Sequence, residues 1–439
     1  MMLLGSQAMN ARGHLEIGGA DAVDLAQRFG TPLYVMDEAA LRARCAAYRQ
    51  AFQSRLPTSL PTFAGKAFLC LAMARIVDEE GLGLDVASEG ELVTALRAQF
   101  PPERILLHGN NKSTAEIETA MAAGVGRIVA DSEPEIDQLA AIASRLGRIQ
   151  AILLRITPGI KPQTHTYIQT GQIDSKFGLA ITTGQAMSGV RRTLAQPSLQ
   201  LAGLHCHIGS SIYSIKPFEM AVQVMMELMA EVAKAGHLCQ DLDLGGGLGV
   251  RYQPEDDPPE IEDFAEGIIR VLSEEADRYR LPLPRLLVEP GRDISGEAGT
   301  TLYTVGVIKE IPGVRTYVSV DGGMSDNPRP ALYQARYQAI VANRAREPRE
   351  TTVTLAGKHC ECDTLITDLE VPASLAVGDI LAVQTTGAYN FAMASNYNRF
   401  ARPAVVLVKD GQADLIVARQ SVDDVLSQDR LPDRLRPGG

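Results

Sequence analysis

The chain has 439 residues, 45% of them hydrophobic and 22% charged, with 42 basic against 53 acidic side chains and a net charge of -11. This composition excludes a disordered chain, and the length allows roughly two or three domains whose cores need no metal or disulfide staple. The acidic balance, the absence of tryptophan and an aromatic content of 5% argue against a nucleic-acid surface, which needs clustered cations and stacking rings.

In chain order, Met1 to Ala20 is interrupted early by Arg12, His14 and Glu16, so no signal peptide is expected. No run of about 18 apolar residues predicts a transmembrane helix. Residues 1–38 form an N-terminal segment in which Leu33–Met36 reads as a strand that joins a later β domain. Apolar runs then recur at Thr62–Lys66, Gly83–Ala87, Arg104–His108, Arg127–Asp131, Ala151–Ile156, Leu201–His207, Asp241–Leu244 and Leu286–Glu289. Most are near-continuously apolar, as parallel strands buried on both faces are. Helical patterns lie between them. Ser113 with Glu116 reads as a capping box, Gly124 as a helix stop and Glu133-Pro134 as a helix start.

Eight such units predict a (β/α)8 barrel over residues 39–295, with a doubly wound sheet as the alternative. Lys66, His108, Asp131, His207 and Glu289 fall at or near strand carboxyl ends, which a barrel gathers at one mouth. Beyond, Thr301–Lys309, Thr316–Val320, Tyr337–Val341, Thr351–Leu355, Asp379–Thr385 and Ala404–Val408 read as strands separated by turns. Residues 296–439 are therefore expected to form an all-β sandwich or barrel domain. The six cysteines are scattered, which fits a reducing cytoplasm better than a disulfide framework.

Several motifs carry chemistry. A lysine at an apolar strand end, Lys66, either snorkels outward or is a depressed amine able to form a Schiff base with a carbonyl. Gly245-Gly246-Gly247-Leu248-Gly249 follows a strand and precedes a poor helix start, which favours a phosphate cradle over a dinucleotide fold. Glu289-Pro290-Gly291-Arg292 closes the eighth strand, and barrels often bind phosphate with the loops after strands seven and eight. His205 and His207 share one strand face, as core residues, as a metal pair or as a ring stacked on a cofactor. His359-Cys360-Glu361-Cys362-Asp363 has no zinc spacing and reads as a chance turn or as a thiol proton donor beside a carboxylate. The loop from Pro158 to Gly178, with His165, Thr166, Tyr167, Gly171, Asp174 and Lys176, reads as a lid or substrate loop.

Together, Gly65-Lys66-Ala67, His205-Cys206-His207-Ile208-Gly209-Ser210, the Gly245–Gly249 run, Glu289-Pro290-Gly291-Arg292, Asp321-Gly322-Gly323-Met324, Cys360-Glu361 and Gly387-Ala388-Tyr389 resemble the diaminopimelate decarboxylase family. That family lies within the alanine-racemase-like, fold type III enzymes of pyridoxal 5'-phosphate. The likeness runs from about Gly18 to Val422, and Thr164-His165-Thr166-Tyr167 with Asp174-Ser175-Lys176-Phe177-Gly178 resembles the diaminopimelate branch rather than the ornithine or arginine branches.

The resemblance implies a cytoplasmic homodimer with shared active sites, using pyridoxal phosphate and no metal, that makes L-lysine and carbon dioxide from meso-2,6-diaminopimelate in the last step of lysine biosynthesis. It implies that Lys66 carries the cofactor, that His207 stacks on its ring and that Glu289 holds the pyridine nitrogen. Gly246, Gly247, Gly249, Gly291 and Tyr389 would hold the phosphate, with Arg292 beside it. Arg292, Arg329, Tyr333, Glu361 and Tyr389 would hold the substrate, and Cys360 of a second subunit would donate the proton. Two positions depart from the family pattern: Cys-Glu-Cys-Asp is one residue shorter than usual, and Phe68 stands where many members have Asn. A sister decarboxylase acting on ornithine, arginine, carboxynorspermidine or a D-amino acid, or an amino-acid racemase, is the alternative. A non-catalytic carrier of the same cofactor would lack the β domain.

Overall fold

The computed structural model describes residues 2–160 and 175–436. His165, Thr166, Tyr167, Gly171 and Asp174 of the expected substrate loop lie outside the described residues. The chain divides into two compact units, Met1–Ala39 with Ala298–Gly439, and Ala40–Glu297.

The first unit begins with short strands and a helix, Ala22–Phe29, and then β1 (Leu33–Asp37), buried along its whole length. In the second unit, eight strands alternate with helices: β2 (Leu60–Ala64), β3 (Gly83–Val86), β4 (Ile105–Leu107), β5 (Arg127–Ala130), β6 (Gln150–Thr157), β7 (Leu199–Cys206), β8 (Asp241–Asp243) and β9 (Arg285–Val288). Each pairs in parallel with the next, and β9 returns to β2 through Val288 opposite Pro61, which closes the barrel. Leu106, Val129, Leu153, Ala202 and Leu287 from five strands form one buried cluster. Period-two alternation then places His108, Asp131, Arg155 and Glu289, each two residues further on, on the same faces toward the carboxyl end. In β7 the register shifts between Leu201 and Gly203, so that His205 lies opposite Arg155 of β6 and Asp243 of β8. Gly203 is required there, because a Cβ would stand 1.9 Å from the Asp241 carbonyl oxygen.

The first unit continues with β10 (Gly299–Ile311), β11 (Arg315–Val320), β12 (Ala339–Val341), β13 (Thr351–Ala356), β14 (Thr364–Val371), β15 (Ile380–Val383), β16 (Ala404–Lys409) and β17 (Gln412–Val417). β10 is long enough to serve two sheets. Its first half pairs with β1 and β15, and its second half with β11. The sheets are mixed, since β1 runs parallel to β16 and β11 parallel to β13. β14 and β17 escape a sequence reading because polar residues break their apolar runs: Asp368 and Glu370 in one, Asp414 in the other. The unit also holds short helices, Arg329–Tyr333 among them, in a region where the sequence shows few helical patterns. Among the described residues, no helix is long and apolar enough to cross a membrane.

Candidate active site

Lys66 does not end a strand. It sits in a single 3-10 turn, Gly65–Ala67, directly after β2, and its side chain is exposed rather than buried. The turn lies close to the barrel, for a Cβ on Gly65 would stand 2.7 Å from the Asp85 carbonyl. Phe68 lies in the core at 1% exposure, so the departure there is a packing residue. Lys66 is therefore an amine presented at the mouth, not one desolvated within it.

Below this mouth lies a buried polar cluster. His108 Nε2 is 2.7 Å from Glu289 Oε1, and His205 Nε2 is 3.4 Å from Oε2. These are close contacts without hydrogen-bond alignment, so among the described residues Glu289 Oε1 keeps an unused acceptor position in a buried site. Burial alone would raise the Glu289 carboxyl, but the two imidazoles outweigh it and hold the group well below the usual carboxylate range. Its neighbours shift the other way. Burial, helped by Glu289, lifts Asp243 well above the ordinary value, and Asp243 Oδ1 accepts the Gly245 N–H at 2.9 Å. Burial also raises Asp85. It lowers His205 to about 4 and His207 well below its ordinary value, with Lys66 and Arg155 adding to the effect at His207. The arrangement holds the Glu289 carboxylate well below its usual range in a buried site, which suits a proton held on a ligand's ring nitrogen.

The glycine run lines the same end. Gly245 and Gly247 have φ of +66° and +132°. A Cβ on Gly246 would fall 2.0 Å from the Glu289 carbonyl oxygen, and one on Gly247 2.3 Å from that of Gly209. Only a bare backbone can run this close, and it leaves main-chain N–H groups where an anion can meet them. Gly249 packs against the Tyr213 ring, and Gly291 against Ala64 and Ala67. Arg292, buried at 7% exposure, donates to the Tyr252 hydroxyl at 2.7 Å and to Ser210 Oγ at 3.2 Å. His207 is half-buried at the end of β7.

The other sequence candidates belong to the β unit. Arg329 is buried and donates to the Tyr337 hydroxyl at 2.8 Å, and Tyr333 is half-buried at the far end of the same short helix. Tyr389 has a φ of +63°, a backbone region costly for an aromatic residue. Cys360 and Glu361 are exposed, with the Glu361 carboxylate accepting from the Tyr397 hydroxyl at 2.8 Å. Asp85, Arg155, Asp243, Tyr252 and Tyr397 were missed. A charged residue inside an otherwise apolar strand was the available signal for Asp85 and Arg155.

An amine at the barrel mouth, a buried carboxylate with a free acceptor position, and a backbone cradle with an arginine beside it fit pyridoxal phosphate. His108, His205 and Glu289 also bring ligand atoms within 4.8 Å of one another, close enough for a small cation. Comparison with known proteins bears on the first of these. Residues 38–296 match the family model for the pyridoxal-dependent decarboxylase, pyridoxal binding domain. The chain is 48% identical over 431 residues to a diaminopimelate decarboxylase of Bacillus subtilis, covering 98% of each. It is 46% identical over 422 residues to that of Mycobacterium tuberculosis, covering 94% of each. Among solved structures, the diaminopimelate decarboxylase of M. jannaschii in co-complex with L-lysine superposes with a TM-score of 0.93 at 34% identity, covering 99% of this chain and 100% of that one.

Proposed function

This chain belongs to the pyridoxal-dependent decarboxylases, and from that premise we propose that it converts meso-2,6-diaminopimelate to L-lysine and carbon dioxide. The near-full-length likeness to diaminopimelate decarboxylases carries this reading, and the polar cluster around Glu289 supports it. The chain works in the cytoplasm, where its six unpaired thiols stay reduced. It acts as a homodimer whose subunits share their active sites.

Lys66 would hold pyridoxal phosphate through its amine, Glu289 would keep a proton at its ring nitrogen, and His207 would stack on the ring. Gly246, Gly247, Gly249, Gly291 and Tyr389 would take the phosphate, with Arg292 beside them. When bound, the cofactor supplies an electron sink for the bond that breaks. Arg292, Arg329, Tyr333 and Tyr389 would bind and orient the substrate. Glu361 reads the distal amino-acid end. The partner subunit's Cys360 delivers a proton from Sγ to the carbon that lost its carboxylate.

The test is release of carbon dioxide and lysine from meso-diaminopimelate by purified protein loaded with pyridoxal phosphate, beside ornithine, arginine and D-lysine. Stoichiometric lysine from diaminopimelate alone is expected. Turnover of ornithine or arginine in its place would overturn the substrate and keep the family.

A further inference from the structure

The loop Gly357–Asp363 joins β13 to β14 and carries Cys360 and Glu361. Its ends are tied by the Gly357 N–H donating to the Asp363 carbonyl at 2.7 Å. Within it, Glu361 N–H donates to the His359 carbonyl and Asp363 N–H to the Glu361 carbonyl, both at 2.8 Å, so the chain turns tightly every two residues. His359 and Asp363 are buried, while the three residues between them are exposed. The two buried side chains meet, with His359 Nδ1 2.5 Å from Asp363 Oδ2. Asp363 Oδ1 accepts the Met324 N–H at 2.8 Å, which ties the pair to the segment after β11.

Two glycines make room for this pair. A Cβ on Gly323 would stand 2.1 Å from Asp363 Oδ2, and one on Gly357 2.0 Å from the same atom. The His359 ring lies at 20° to that of Tyr397, 6.0 Å between centroids, and edge-on to Phe400 at 5.0 Å. The segment that supplies those rings also reaches the exposed residues. Tyr397 donates its hydroxyl to Glu361, and Asn398 Oδ1 accepts the Cys360 N–H at 3.0 Å. Among the described residues His359 Nε2 is buried with no partner, so the ring is held through Nδ1 and by stacking. Burying a polar pair in this way costs stability unless its geometry serves something else.

We propose that His359 and Asp363 are positioning residues, whose buried pair sets where Cys360 Sγ stands for proton delivery. The inference rests on the reading of Cys360 as proton donor. With Cys360 misplaced, a proton from solvent would go to the cofactor instead of the substrate carbon, and hydrolysis by one water would release the substrate as an aldehyde and leave its nitrogen on the cofactor as an amine.

The test compares His359→Leu, His359→Asn, Asp363→Asn and Cys360→Ala in the full chain. The readouts are kcat and KM, the lysine-to-aldehyde ratio, the aminated cofactor by mass spectrometry, and the iodoacetamide alkylation rate of Cys360 against Cys362 in cofactor-free protein. His359→Leu is expected to lower kcat roughly 10- to 100-fold with KM nearly unchanged, as a displaced catalytic group does. It should also raise the aldehyde share and alter the alkylation ratio. His359→Asn, whose amide can donate to Asp363, is expected to recover most of each. A folded His359→Leu protein with unchanged kcat, product ratio and alkylation ratio overturns the inference. If that variant does not fold, Asp363→Asn decides by the same readouts. An unimpaired Cys360→Ala protein removes the proton-donor reading itself, whereas an impaired one beside normal His359 variants removes only this inference.

Discussion

His205 shows how a single buried group links this barrel to pH. Burial lowers its folded value to about 4, whereas an unfolded imidazole titrates near 6.5. The unfolded chain therefore binds the extra proton first as pH falls. The stability that His205 contributes as a neutral ring is fully present above about 6.5 and is lost progressively down to about 4, by on the order of 3 kcal/mol. Denaturant titrations of the cofactor-free chain between these limits are expected to show that slope, and His205→Gln is expected to flatten it. An unchanged slope in the variant would place the acid sensitivity elsewhere. His205 stood out in the sequence by its alternation with His207. Its meeting with Glu289 did not, because the two residues lie 84 positions apart and only barrel pairing joins them.

Local elements were the most legible. The Ser113 cap accepts the Glu116 N–H at 3.2 Å, the Glu116 carboxylate returns to the Ser113 N–H at 2.8 Å, and Gly124 ends that helix with a φ of +80°. Each depends on residues a few positions apart, which is why the sequence displays it. The turn after β2 was less legible. A strand read through to Lys66 ignores that Gly65 lets the chain break away, and the exposed side chain follows from that break. The glycine run lies between these cases, since its residue types were plain but its close approaches were not. Gly246→Ala is expected to destabilise the protein by about 1–3 kcal/mol, the usual range for overpacking, and to weaken cofactor binding by shifting the Glu289 backbone. Thermal melts with and without pyridoxal phosphate check both. Equal stability and affinity would show that the loop gives way.

For the molecule as a whole, the proposed shared site makes a prediction that no single chain can meet. Lys66→Ala and Cys360→Ala chains are each expected to be nearly inactive alone. Mixed and allowed to exchange, half of the dimers combine the two, and each of these holds one intact site, so activity should recover to about a quarter of the unsubstituted enzyme. Recovery near zero after verified exchange would place Lys66 and Cys360 in one chain's own site.

The amino-acid sequence by itself determined the eight barrel strands, the polar residues at their carboxyl ends, the caps between them, and a β-rich remainder to which Leu33–Met36 belongs. These are patterns of burial and turn chemistry within a few residues. Only the tertiary structure decided the closure of β9 onto β2, the parallel seat of β1 beside β16, the division of β10 between two sheets, the Glu289 cluster and the His359–Asp363 pair among its glycines. The physical reason is range. Periodicity reports which face of an element is buried, whereas the partner across that face is chosen by packing and pairing between distant parts of the chain.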